Sequence, residues 1–238
     1  MSKFGIKEVA DVIFFDIATG KPVLFFDTLK TSSIENAAES TDATGGRGNA
    51  KLITWNYSRT ATLQMQDALL SMESMAVLAG TSVKTGNVTL SKREVIVGKT
   101  GGKGTISETP LDVKKVTVID NETGKEVSGA TVTGLEVVSG LTEGKKYSVY
   151  YDYKAPEGAT TVSFESDKFP GTYRVVGDTI VRDNVTGKDR VAQFYIPKAQ
   201  LQAGFTFTMD AENVSTFDFN LEILRDGEST ELYKVTIV

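Results

Sequence analysis

Phe217, Phe219, Leu221 and Ile223 alternate with Thr216, Asp218, Asn220 and Glu222. A period of two puts the apolar set on one face of a strand and the polar set on the other, so this stretch predicts a sheet with one side in a core and one in water. The same period runs through residues 52–65, where Ala61, Leu63 and Met65 share one face and Thr60, Thr62 and Gln64 the other. Near the start, "ADVIFFDI" and "KPVLFFDTL" are rich in Val, Ile and Phe and flank "ATGK", the composition of two strands around a turn. From Thr81 onward the apolar stretches all read as strands, "NVTLSKREVIVG", "KKYSVYYDYK", "TYRVVGDTIV", "RVAQFYIPKAQL" and "GFTFTMD" among them. One helix is expected, over about residues 71–79: Ser71 suits the N-cap, Met72, Met75, Ala76, Leu78 and Ala79 recur at helical spacing, and Gly80 suits the position after the end. Its methionine stripe reads as packing against a sheet rather than as a cofactor box. The expected fold class is therefore mainly β, with one α-helix.

One phrase occurs at three places. Asp16 to Lys21, Asp120 to Lys125 and Asp183 to Lys188 all read D-x-x-T-G-K. Asp caps such a turn and Gly takes a positive φ, so the phrase predicts short hairpins, and its unequal spacing speaks against a repeat architecture. Residues 108–158, from "ETPLD" to "APEGA", hold several short strands including the tyrosine-rich "YSVYYDY". This region reads as a small Ig-like insertion, which splits the chain into a β domain of residues 1–107 and 159–238 and an inserted domain of residues 108–158.

Composition narrows the chemistry. The chain of 238 residues has no Cys and no His. Disulfides, thiol nucleophiles and the commonest general base and metal ligand are thereby removed, and no catalytic, metal or cofactor site is assigned. A formal charge of −5 argues against a protein that grips nucleic acid electrostatically. No run reaches the apolar length of a membrane span, and no signal peptide is read, so a protein made in the cytoplasm and soluble there is expected.

Two glycine-rich stretches invite a phosphate-loop reading. In "VGKTGGKGT" the spacing fails, because Arg93 and Val97 stand where the two possible phosphate loops need Gly, and strand patterns surround it. It reads as a linker between strands. "STDATGGRGNAK", residues 40–51, has no large apolar residue and is likewise followed by a strand pattern. It reads as a long polar loop with little reason to order itself in one chain.

The order of these parts resembles a known family. A hairpin block is followed by "GGRGNAKLITW", the strand "TATLQMQDALLS", the helix "MESMAVLAG", and the close "RVAQFYIPKAQLQAGFTFTMDAENVSTFDFNLEILRD". This resembles the tail tube proteins of bacteriophages, related in fold to the tubes of contractile injection systems, over roughly residues 9–97 and 161–238. The resemblance implies a β-sandwich or barrel subunit of a virion tail. Such subunits form rings, commonly hexameric, that stack into a hollow tube, and DNA passes through the lumen without specific binding. It implies further partners in the tape measure, tail terminator and baseplate proteins, and in a sheath protein if the tail is contractile. On that basis Thr41, Asp42, Gly45, Gly46, Arg47, Gly48 and Asn49 are candidates for an inter-subunit assembly loop, with a loose surface loop as the bland alternative. Thr60, Thr62, Gln64, Thr206, Thr208 and Asp210 are candidates for the lumen wall. A capsid decoration or baseplate protein, an Ig-like adhesion or glycan-binding module, and an enzyme working with carboxylates alone remain as alternatives.

Overall fold

The structure is a computed structural model and describes residues 3–212, 214–227 and 229–238. The chain divides into two compact units, one of residues 1–83 and 162–238 and the other of residues 84–161.

The first unit begins with β1 (Phe4–Ile6), β2 (Asp11–Asp16), β3 (Pro22–Phe26), β4 (Leu29–Gly45), β5 (Ala50–Asp67) and α1 (Met72–Ala79). The second holds β6 (Lys84–Thr85), β7 (Thr89–Val97), β8 (Gly104–Thr105), β9 (Thr117–Asp120), β10 (Thr131–Thr133), β11 (Glu136–Ser139), β12 (Lys146–Lys154) and β13 (Thr160–Thr161). The chain then returns to the first unit for β14 (Thr172–Asp183), β15 (Asp189–Leu201), β16 (Phe217–Ile223) and β17 (Lys234–Ile237). The mainly β expectation holds, with one α-helix and no closed barrel among the described residues.

In the first unit the strands form one antiparallel sheet in the order β3-β2-β14-β15-β16-β5-β4, with β1 added to β14 and β17 to β15. The alternation read from the sequence decides which face is buried. Val12 and Phe14 of β2, Leu24 and Phe26 of β3, Leu63 and Met65 of β5, and Phe219 and Leu221 of β16 are all buried in one cluster. Phe26 and Phe219 meet edge to face at 4.7 Å although their strands stand four places apart in the sheet. The sheet therefore curls on itself, and its two halves pack inner face to inner face as a sandwich does. Helix α1 adds Val77 and Leu78 to the same core. Its ends follow the sequence: the Ser71 hydroxyl accepts from the Ser74 N–H at 2.9 Å, and Gly80 takes φ 64° beyond the C-terminus.

The second unit has a core of its own. Ile96, Val118, Tyr147, Val149 and Tyr151 from the sheet β7-β12-β9 pack with Val137 of the sheet β10-β11-β8 and with Ile106. Tyr147 and Tyr151 of the tyrosine-rich strand thus point inward, while Tyr150 points out beneath the Arg93 guanidinium. The longest pairing in this unit joins β12 to β7, which precedes residue 108. The "VGKTGGKGT" stretch is a tight turn between β7 and β8, with the Lys99 N–H bonded to the Lys103 carbonyl at 2.7 Å.

All three D-x-x-T-G-K phrases close hairpin turns in the same way. The amides of Thr19, Thr123 and Thr186 donate to the carboxylates of Asp16, Asp120 and Asp183 at 2.7, 3.2 and 3.0 Å. Gly20, Gly124 and Gly187 have φ of 67°, 68° and 65°. The phrase encodes its turn in both units, independent of surroundings.

Candidate functional site

The outer face of the half-sheet β16-β5-β4 is polar in register. Pairing lines up Thr31, Gln66 and Asp218 in one rung, Ser33, Gln64 and Asn220 in the next, and Glu35, Thr62 and Glu222 in a third. No Lys or Arg stands in these rungs, and three of their side chains are carboxylates. The amides of Gln64 and Gln66 donate to Glu35 at 3.2 Å and to Asp218 at 3.1 Å, so the rungs are tied across strands. Two of the lumen candidates, Thr62 and Gln64, lie in the rungs, and Thr60 lies one step further along β5 opposite Ala37.

The stretch expected to be a long loop is something else. β4 and β5 stay paired to their ends, from Leu29 opposite Asp67 to Gly45 opposite Ala50. Thr41, Asp42 and Gly45 therefore lie on a strand, and only Gly46, Arg47, Gly48 and Asn49 make the turn. Gly46, Gly48 and Asn49 take positive φ there, which explains the glycines. Polarity misled the reading: a two-stranded ribbon needs cross-strand hydrogen bonds but no buried face. Asp42 is engaged within the hairpin, paired with Lys51 and accepting from the Thr54 hydroxyl at 2.7 Å. The Lys51 ammonium and then the Thr54 hydroxyl hold the Asp42 carboxyl below the ordinary aspartate range.

β16 accompanies β5 only as far as Ala61. Beyond it the hairpin runs on as a two-stranded ribbon of roughly 35 Å, at about 3.3 Å per residue. Ile53, Trp55 and Tyr57 alternate along one face of it and pair with Ala43, Thr41 and Glu39. They are 54%, 52% and 49% exposed. Half-exposed Trp, Tyr and Ile on an isolated ribbon are the residue types that anchor protein interfaces. Sequence reasoning put its assembly candidates at Thr41, Asp42 and Gly45–Asn49 and did not single out these three; the β-branched and aromatic enrichment of "LITWNY" was the available signal.

The profile of the YomU/Tube protein family matches residues 4–237, nearly the whole chain. The chain belongs to this family. Membership makes it a structural protein of the phage tail tube type, a virion tail component that assembles with itself into a tube. No curated protein matches it in sequence.

Thr206, Thr208 and Asp210 lie on no strand, although "GFTFTMD" was expected to be one. Among the described residues no group of three or more His, Cys, Asp or Glu side chains converges as a metal site does. Among the described residues no helix is long and apolar enough to cross a membrane.

Proposed function

We propose that this tube-family chain forms rings, hexameric in the usual pattern of such proteins, which stack into a hollow phage tail tube, and that DNA passes through its lumen. The observation that carries this reading is the run of polar rungs on β16-β5-β4, which holds carboxylates and amides and no cation. Lys and Arg hold DNA through its phosphates, so a wall without them lets the duplex slide. In this reading Thr60, Thr62 and Gln64 face the lumen together with Thr31, Ser33, Glu35, Asp218, Asn220 and Glu222. The ribbon that ends in Thr41–Asn49 is the assembly element, and Ile53, Trp55 and Tyr57 are its contact face. The unit of residues 84–161 is a small Ig-like accessory domain. Tape measure, terminator and baseplate proteins meet the tube at its interior and ends, a sheath protein surrounds it in a contractile tail, and assembly takes place in the host cytoplasm. Negative-stain electron microscopy of the purified protein over a concentration series, with size-exclusion chromatography alongside, tests this. Stacked rings or hollow tubes are expected. A protein that stays monomeric up to millimolar concentration, with and without a crowding polymer, overturns it.

A further inference from the structure

β4 forms one margin of the sheet of the first unit: β5 pairs with one side of it, and among the described residues no strand pairs with the other. Its 17 residues make it far longer than the other margin, the five-residue β3. A long free edge presents a row of unpaired N–H and C=O groups, which proteins rarely leave uncovered. The two faces beside this edge differ. On one face lie the polar rungs, ending at Thr31, Ser33 and Glu35. On the other lies a groove of about 220 Å³ whose apolar walls include Ile6, Ala10, Ile34, Leu63, Phe194 and Val235. A strand that fits here needs apolar side chains on one face and small polar ones on the other.

Residues 204–210 carry that pattern. Phe205, Phe207 and Met209 alternate with Thr206, Thr208 and Asp210. Aromatic residues and threonine favour the extended backbone, yet the segment belongs to no strand in the single chain. Phe205 leans on Phe164 at 5.3 Å and Phe207 on Phe217 at 5.6 Å, the Ser215 hydroxyl donates to the Thr208 carbonyl at 2.5 Å, and Met209 is 84% exposed. The chain therefore holds a strand pattern without a ladder and a ladder edge without a strand.

We propose that residues 204–210 of one copy add as a strand to the free edge of β4 in a neighbouring copy. Main-chain hydrogen bonds supply the pairing. An apolar side chain of the Phe207–Met209 pair enters the groove beside Ile34, which fixes the register. Thr206, Thr208 and Asp210 then extend the polar rungs across the subunit boundary. The inference rests on the tube reading and names the segment that closes the seam.

The chain has no cysteine, so introduced thiols report without background. A Ser33→Cys variant is mixed in turn with Thr206→Cys, Thr208→Cys and Asp210→Cys variants, allowed to assemble and oxidised. A disulfide between two copies requires Cα atoms within about 7 Å of each other. At least one mixture is expected to give the mixed dimer in assembled tubes and none in dilute monomer. Amide exchange at residues 205–209 of the unmodified protein is expected to slow by roughly tenfold or more on assembly. Tubes that form without any mixed cross-link and with unchanged exchange overturn the strand addition while leaving the tube reading intact. A Ser33→Cys/Thr208→Cys double variant that closes within one chain at high dilution also overturns it, since the segment then docks on its own edge. Failure of the unmodified protein to form tubes under any condition removes the tube reading and this inference with it.

Discussion

Glu94 shows how one side chain can make a unit sensitive to acid. Its partial burial opposes ionisation, yet the Tyr151 hydroxyl, the Ser107 amide and hydroxyl, and the nearby Lys92 charge together outweigh that and hold the carboxyl below the ordinary glutamate value of 4.5. The donors lie close: Tyr151 Oη at 2.6 Å, Ser107 N at 2.9 Å and Ser107 Oγ at 2.9 Å. A carboxyl whose folded pKa is depressed stabilises the fold fully above its unfolded value and loses that contribution as pH falls through the folded value. The unit of residues 84–161 should therefore weaken as pH drops below about 4.5. The stability difference between the native chain and a Glu94→Gln variant should shrink over the same range. Chemical denaturation at a series of pH values measures this, and a difference independent of pH contradicts it. Tyr151→Phe keeps the buried ring and removes the strongest donor. Since Glu94 is only partly buried, the expected cost is about 1 kcal/mol, below the usual figure for a bond to a charged group.

At the scale of elements, glycines in similar backbone conformations test whether packing or conformation sets their cost. Gly20 in the first hairpin turn has φ 67° with open space around a hypothetical Cβ. Gly80 after α1 has φ 64°, and a Cβ there would lie 2.1 Å from the Phe169 carbonyl oxygen. Gly20→Ala should lose about 1 kcal/mol for the left-handed backbone alone. Gly80→Ala should lose at least ~2 kcal/mol, because backbone must also move. Equal losses in urea denaturation would mean that the backbone at Phe169 yields freely. The same contrast between local and non-local causes explains what the sequence revealed. β2, β3, the inner half of β5, and β16 were legible because each buries one face and so alternates. The helix was legible because Ser71 and Gly80 punctuate it. The ribbon was not, because Thr41 and Asp42 are held extended by Thr54 and Trp55 across the hairpin and not by burial. β17 was missed for a related reason: its short run pairs with β15 at the margin of the sheet, and Val235 is 60% exposed. For residues 204–210 the error ran the other way, since alternation gives a strand its propensity but not a partner. The polar rungs were half legible. Thr62 and Gln64 stood out on β5, while Thr31, Ser33 and Glu35 join them only through a pairing register that no single segment encodes.

At the scale of the whole molecule, assembly can be followed through one side chain. The chain has a single tryptophan, Trp55, and it sits half exposed on the ribbon between Ile53 and Tyr57. All of the intrinsic tryptophan emission therefore comes from the surface assigned to subunit contact. An indole side chain buries up to about 250 Å². Covering the exposed half removes about 125 Å² from water, worth up to ~3 kcal/mol at about 25 cal/mol per Å². Ordering the ribbon against a neighbour opposes part of this, which leaves about 2 kcal/mol for the contact. Emission should move to shorter wavelength, and acrylamide quenching should fall, as concentration carries the protein from monomer to tube. Trp55→Ala should raise the concentration needed for assembly by about thirtyfold, the equivalent of ~2 kcal/mol. The same substitution should change the folding stability of the monomer by no more than about 0.5 kcal/mol, because Trp55 adds nothing to the core. Tubes that form with unchanged Trp55 emission and quenching would place the ribbon on a free surface and move subunit contact elsewhere in the first unit, with the β4 edge next in line. A shift in emission together with a lost assembly threshold in Trp55→Ala would fix the ribbon as the arm by which one copy holds the next.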